Sequence, residues 1–202
     1  MKKILSIILV TVILLAAFAT DAFAATTHKV EKGDSLWRIA VKYQVGLSEI
    51  KAANPTIKNY NLIYPGQIIN IPTVDSTVTA YEKEVVRLVN EIRRENGLKP
   101  LTIDWQLSRV ARYKSQDMSS LGYFSHTSPT YGSPFEMMRS FGISYRTAGE
   151  NIAKGYRTAE AVVNGWMNSP GHRAIILIST YTHIGVGYVS QGNYWTQMFI
   201  SK

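Results

Sequence analysis

The chain has 202 residues, a formal net charge of +8 at pH 7 and no cysteine. The absence of cysteine excludes disulfide bonds, thiol catalysis and cysteine-based zinc sites. The basic charge suits anionic partners such as acidic wall polymers. The sequence has no run of Lys and Arg interleaved with aromatic residues, so nucleic acid is not an expected partner.

The first 24 residues have the pattern of a secretory signal peptide. Met1-Lys2-Lys3 is basic, residues 4–19 are nearly all apolar, and Ala22-Phe23-Ala24 places small residues at the positions that a signal peptidase reads. The alternative is a transmembrane anchor, but the apolar run is short for a span of about 20 residues. We therefore expect cleavage after Ala24 and an exported protein with no stable membrane span.

Residues 27–72 predict a small βααβ unit. A short strand at 28–30 precedes a turn at Gly33-Asp34, and Asp34 or Ser35 is predicted to cap a helix. A second helix is predicted from Ser48 to the Asn54-Pro55 stop. The chain then turns at Pro65-Gly66 into a second strand.

The segments THKVEKGDSLWRIAVKYQVGLSEIKAANP and YPGQIINIP resemble the LysM module over its full length. His28 stands where that pattern often has Tyr. The resemblance implies binding of N-acetylglucosamine-containing glycans, namely peptidoglycan or chitin, in a shallow groove between two loops. The alternative is that the loop residues serve only as turns and caps. The matching positions are Gly33, Asp34, Ser35, Leu36, Leu62, Ile63, Tyr64 and Pro65.

A polar linker is predicted at residues 73–79, followed by a second unit at 80–202. Helices are predicted to begin near Tyr81, at Asp104, at the Ser133 capping box and at Thr158. Leu107, Val110, Ala111, Met118 and Leu121 form the predicted inward face of the second of these helices. HIGVGYV and YWTQMFIS then predict a hairpin. Helices followed by antiparallel strands indicate an α+β fold, an α-β-α sandwich.

Three histidines and one glutamate are the candidate functional residues of the second unit. They are His126, His172, His183 and Glu150, the last in a segment predicted to be a glycine-flanked loop. Imidazoles with a carboxylate can bind a divalent cation or form an acid/base pair. Their spacing is not a local metal signature, so capping, turn and core roles stay open. Ser169-Pro170-Gly171 is predicted to end a helix and turn the chain.

The ordered segments FSHTSP, GENIAKG, WMNSPGHR and HIGVGY…YWTQMF resemble the CAP superfamily, which comprises cysteine-rich secretory proteins, antigen 5 and pathogenesis-related proteins. The resemblance implies a cleft lined by two histidines and two glutamates, where some members bind zinc or another divalent cation. His126, Glu150 and His183 match three of these positions. Ser169 stands at the fourth, so His172 is predicted to replace that ligand, with Asn151 as a supporting donor.

The leading hypothesis is a secreted, wall-associated protein whose first unit binds peptidoglycan and presents the His/Glu cleft. A second hypothesis is a peptidoglycan-directed hydrolase that uses this cleft. A third is a non-catalytic wall or spore-envelope protein that binds lipid or another small ligand. No cofactor is required by the sequence, although zinc or another divalent cation is compatible with the residue types.

Overall fold

The computed structural model describes residues 26–202, which form two units. The predicted signal peptide, residues 1–24, lies outside the described residues. The N-terminal unit pairs two antiparallel strands that are separated along the chain by two helices. Its elements are β1 (Thr26–Lys29), α1 (Leu36–Tyr43), α2 (Leu47–Ala53) and β2 (Ile68–Ile71). This is the βααβ order that the sequence predicts.

Local signals explain where the first helix begins. The Ser35 hydroxyl accepts a hydrogen bond from the Arg38 N–H at 3.2 Å and so caps α1. Apolar burial holds this small unit together without disulfides. Its buried core consists of Val30, Leu36, Ile39, Ala40, Ile50, Ile69 and Ile71.

The C-terminal unit is built around one four-stranded sheet. The strand order is β3-β5-β6-β4, with β3 parallel to β5 and the other pairs antiparallel, so β4 lies at an edge. The elements are α3 (Ser76–Glu95), β3 (Thr102–Ile103), α4 (Trp105–Leu121), α5 (Pro134–Ser140), β4 (Thr147–Lys154), α6 (Ala159–Met167), α7 (Pro170–Ile176), β5 (His183–Val189) and β6 (Tyr194–Ser201).

Helices cover both faces of this sheet, which confirms the predicted α-β-α sandwich. Met198 and Ile200 of β6 pack with Leu107 on the face covered by α4 and α5. Phe199 and Trp195 belong to the core of the other face, which α3, α6 and α7 cover. Within residues 26–202, no helix combines the length and apolar character needed to cross a membrane.

Two glycines of β5 allow α4 to lie directly on the sheet. A Cβ built on Gly185 would lie 2.3 Å from the backbone carbon of Leu107, and one on Gly187 would lie 2.1 Å from the Arg112 nitrogen. Because these obstacles are backbone atoms, a side chain at either position would push the helix outward. The close contact fixes α4, which carries residues that support the candidate site.

The predicted linker at 73–79 is partly wrong, because α3 begins inside it at Ser76. The Asp75 carboxylate accepts a hydrogen bond from the Thr77 N–H at 2.7 Å and so starts the helix early. The prediction that Leu121 faces inward is also wrong. It is 57% exposed at the last position of α4, where the helix has run past the sheet.

Two further predictions about local structure are wrong. Glu150 lies in strand β4 rather than in a loop, and both faces of that strand are buried, so no alternation of polar and apolar residues reveals it. The segment Ser169-Pro170-Gly171 not only follows the end of one helix but also begins the next. Pro170 is the first residue of α7, a position where its missing N–H has no cost and its fixed φ suits a helix.

Candidate functional site

The two predicted glycan-binding loops of the N-terminal unit both contribute residues to the lining of one cavity of about 250 Å³. Five of the eight predicted glycan-binding residues line it, namely Asp34, Ser35, Leu36, Leu62 and Ile63. The other predicted positions, Gly33, Tyr64 and Pro65, are not part of the lining that the described residues form.

Trp37 is a lining residue that the sequence analysis missed. Its side chain is 53% exposed, whereas Leu36, Ile39 and Ala40 of the same helix are buried. A tryptophan directly after a predicted binding loop is the signal that the sequence offers. Together with Leu62, which is 51% exposed, it gives the cavity an apolar surface against which a sugar ring can pack.

A buried histidine supports one of these loops. His28 Nε2 lies 2.8 Å from Asp34 Oδ2, and Nδ1 lies 3.2 Å from the Tyr43 hydroxyl. The hydrogen bond with His28 lowers the pKa of Asp34, and the Glu31 N–H, which also donates to this carboxylate, lowers it further. These contacts hold Asp34 at the border of the cavity.

In the C-terminal unit, the structure brings His126 and Glu150 into direct contact. His126 Nδ1 lies 2.7 Å from Glu150 Oε1. The glutamate side chain is only 1% exposed, whereas the imidazole is 54% exposed. Glu150 Oε2 is buried without a hydrogen-bond partner among the described residues. With the carboxylate as acceptor, the contact assigns the His126 proton to Nδ1 and leaves Nε2 as an acceptor.

His172 joins His126 in the lining of a cleft of about 540 Å³ at the free edge of β4. Burial lowers the pKa of His172, and the nearby charge of His126 lowers it further. Asn151 donates a hydrogen bond to the backbone oxygen of His172 at 3.2 Å, and it therefore ties α7 to the strand.

The cleft has an apolar floor and aromatic borders. The Trp166 indole donates to the backbone oxygen of Ile152 at 3.2 Å and covers part of the exposed strand edge. Phe124 and Tyr156, which also line the cleft, are 50% and 37% exposed. Trp166 itself is 2% exposed and belongs to the core.

The structure does not bring His183 to this cleft. It lies at the start of β5, where it is paired with Ile200 of β6 and with Thr102 of β3. Strand β6 therefore separates it from β4 and Glu150. Its Nδ1 contacts the Thr182 hydroxyl at 2.7 Å.

The predicted metal site is therefore not formed by these residues. Among residues 26–202, no three His, Cys, Asp or Glu side chains are placed to hold one metal ion. Ser169 lines the cleft at the position of the expected second glutamate, but its hydroxyl is uncharged and is a poorer ligand for a divalent cation than a carboxylate. The His126–Glu150 contact is the part of the predicted constellation that the structure brings together directly.

Lys114 is a second residue that the sequence analysis missed. It lies on α4 with a fully buried side chain, and its ammonium group donates to the backbone oxygens of Ser125 and His126 at 2.7 and 2.9 Å. A lysine at the i+4 position from Val110 and the i−4 position from Met118, on an otherwise apolar stripe, is the signal that was available.

Comparison with protein-family models identifies the family of each unit. The model of the CAP family, described as the cysteine-rich secretory protein family, matches residues 86–200, which is more than half of the chain. The chain belongs to the CAP family. The LysM family model matches residues 28–72, so the protein combines a LysM domain with a CAP domain.

Two sequence relatives are informative. The chain is 65% identical to the uncharacterized protein YkwD of Bacillus subtilis over 127 residues, which are 63% of this chain and 49% of YkwD. It is 35% identical over 88 residues to N-acetylmuramoyl-L-alanine amidase sle1 of Staphylococcus epidermidis, covering 44% of this chain and 26% of the amidase, in the LysM region. The chain spans about half the length of YkwD.

A solved structure shares the fold of the CAP domain. An extracellular protein containing an SCP domain from Bacillus anthracis superposes with a TM-score of 0.61 at 33% sequence identity. The match covers 68% of this chain and 47% of that chain.

Proposed function

We propose that this protein is secreted to the cell wall, where its LysM domain binds N-acetylglucosamine-containing peptidoglycan and presents the CAP cleft. The observation that carries the proposal is the cavity between the two LysM loops, which has exposed apolar side chains on both sides. The likeness of the LysM region to a wall amidase supports a location at the wall.

The composition of the LysM cavity suits an N-acetylated sugar. Trp37 and Leu62 offer apolar surface to the faces of a pyranose ring and to the acetamide methyl group. The Ser35 and Asn61 side chains and the loop backbone offer polar groups for the acetamide and hydroxyls. The basic charge of the chain further favours association with anionic wall polymers.

Retention on purified, insoluble peptidoglycan tests this proposal with a matched pair of variants. Leu62 and Ile68 are 51% and 54% exposed, but only Leu62 lines the cavity. We expect Leu62→Ala to weaken binding about three- to tenfold, the loss of roughly 1 kcal/mol of apolar contact. Ile68→Ala is expected to bind like the unaltered protein. Equal weakening in both variants, or in neither, would contradict the assignment of the cavity.

A second candidate function is hydrolysis of wall peptide or glycan at the CAP cleft. The observation that favours it is the contact between exposed His126 and buried Glu150, since a carboxylate that holds Nδ1–H orients the imidazole so that Nε2 can take a proton from water. The lowered pKa of His172 favours a neutral imidazole on this residue of the same cleft at neutral pH.

Release of soluble muropeptides tests the hydrolase candidate. If His126 acts as the base, Glu150→Gln should lower the rate by roughly 100-fold or more, which is a usual contribution of general acid/base catalysis. Glu160→Gln is the matched control, because Glu160 is an exposed glutamate on α6. Release that is equal for both variants would exclude this role for Glu150.

A further inference from the structure

The environment of Lys114 is unusual for a lysine. Its side chain is fully buried, and burying an ammonium group is costly unless all of its donors are used. The Nζ atom has three donors, and three acceptors surround it: the backbone oxygens of Ser125 and His126 and the hydroxyl of Tyr123 at 3.2 Å. The ammonium group is therefore fully satisfied at this position.

Two of these acceptors bracket the backbone of the histidine that contacts Glu150. The Ser125 oxygen precedes His126 and the His126 oxygen follows it, so Lys114 ties both peptide groups to α4. The His126 side chain is 54% exposed, so packing alone does not fix it. The position of its ring depends on the position of this stretch of backbone.

Charge gives a second link between Lys114 and the pair. Burial lowers the pKa of Lys114, while the negative charges of Glu150 and Asp117 oppose that shift. Glu150 lies on the same face of the sheet as Met198 and Gly185, the face that α4 covers, because paired residues of adjacent strands point to the same side. Lys114 and Glu150 therefore interact electrostatically on the α4 side of the sheet.

Asp117 binds other residues of the loop that contains His126. It accepts hydrogen bonds from the hydroxyls of Tyr123 and Ser128 at 2.5 and 2.7 Å and from that of Thr130 at 2.6 Å. Tyr123 contacts both Asp117 and Lys114, so the two α4 residues and the loop form one connected network. Such a network restricts the loop more than separate hydrogen bonds would.

We propose that Lys114 is a positioning residue for the His126–Glu150 pair. It holds the peptide groups on both sides of His126 and keeps the imidazole against the carboxylate. This inference rests on the proposed role of the CAP cleft, but it concerns the geometry of the pair and not the ligand.

Proton NMR of the full chain with 15N-labelled histidine tests the proposal. The His126 Nδ1–H that donates to Glu150 should give a strongly downfield signal. We expect that signal to be lost in Lys114→Met and retained in Ser115→Ala. Ser115 is the matched control because it is a fully buried neighbour on α4 that bonds Gly187 and Thr196 instead of the loop. A Lys114→Met variant that is folded and keeps the signal would overturn the proposal.

A measurement on the unaltered protein covers the case in which Lys114→Met does not fold. Scalar couplings across hydrogen bonds from the Lys114 ammonium group to the Ser125 and His126 carbonyl carbons are expected, and their absence would also overturn the proposal. Neither readout depends on peptidoglycan retention or muropeptide release. A failure of the proposed function is therefore distinguishable from a failure of this inference.

Discussion

The LysM and CAP domains each contain a histidine–carboxylate pair, and the two pairs are opposite in their exposure. In the LysM domain the histidine is buried, with 5% of His28 exposed against 24% of Asp34. In the CAP domain the carboxylate is buried, with 1% of Glu150 exposed against 54% of His126. The hydrogen-bond lengths, 2.8 and 2.7 Å, are nearly the same.

The difference in exposure separates a structural pair from one that is open to a ligand. Both ring nitrogens of His28 have protein partners, and the contacted Asp34 oxygen also accepts a backbone N–H. In the CAP pair one carboxylate oxygen is buried without a partner among the described residues, and the imidazole faces the cleft. Unmet polar groups at a cleft are typical of sites that bind or react.

The largest expected effect is a difference in stability between the two histidine variants. His28→Ala should lower the free energy of unfolding of the LysM domain by about 2–4 kcal/mol, because it leaves a cavity and removes two hydrogen bonds. His126→Ala should cost the CAP domain less, about 1 kcal/mol, because the exposed ring leaves no cavity and water from the cleft can replace it as the partner of the Glu150 oxygen. Urea unfolding followed by a signal from each domain measures both. Equal losses of unfolding free energy in the two variants would contradict the distinction between a structural pair and an open one.

A smaller effect is expected from the hydroxyl that supports the LysM pair. Tyr43→Phe leaves the buried Nδ1 of His28 without its tyrosine partner, which should cost about 1–2 kcal/mol. Tyr64→Phe is the control in the same domain, since Tyr64 is 59% exposed and should change stability by less than about 0.5 kcal/mol. If Tyr43→Phe were as stable as Tyr64→Phe in urea, the pair would not depend on its buried contacts.

The sequence predicts the fold well and the candidate site incompletely. Helix caps such as Ser35, Asp104 and Ser133 are local signals, and the structure confirms them. The meeting of His126 and Glu150 depends on β4 lying at the sheet edge, which no local pattern reveals. His183 shows the same limit, because strand order places β6 between it and the cleft.

An effect of about 1 kcal/mol is expected from an ion pair that joins the two domains. Glu49 of α2 and Arg109 of α4 form a bidentate ion pair, with 2.8 Å between Arg109 Nη2 and Glu49 Oε2. The two side chains are 25% and 17% exposed, so a double-mutant cycle with Glu49→Ala and Arg109→Ala should give a coupling of about 0.5–1 kcal/mol that decreases with salt. A coupling of zero would mean that this ion pair does not stabilise the contact between the two domains.

The smallest expected effect is a dependence of CAP-domain stability on pH through His172. Burial lowers the pKa of His172 below its unfolded value of 6.5, so the unfolded chain takes up the proton first on acidification. This contribution is complete above pH 6.5, and it is lost as pH falls from 6.5 to the lower folded pKa. Because the ring is partly exposed, the slope should stay well under the roughly 1.4 kcal/mol per pH unit that one group can give. Urea unfolding between pH 4.5 and 7.5 should show a smaller slope in His172→Gln, and identical slopes would place His172 outside the buried part of the cleft.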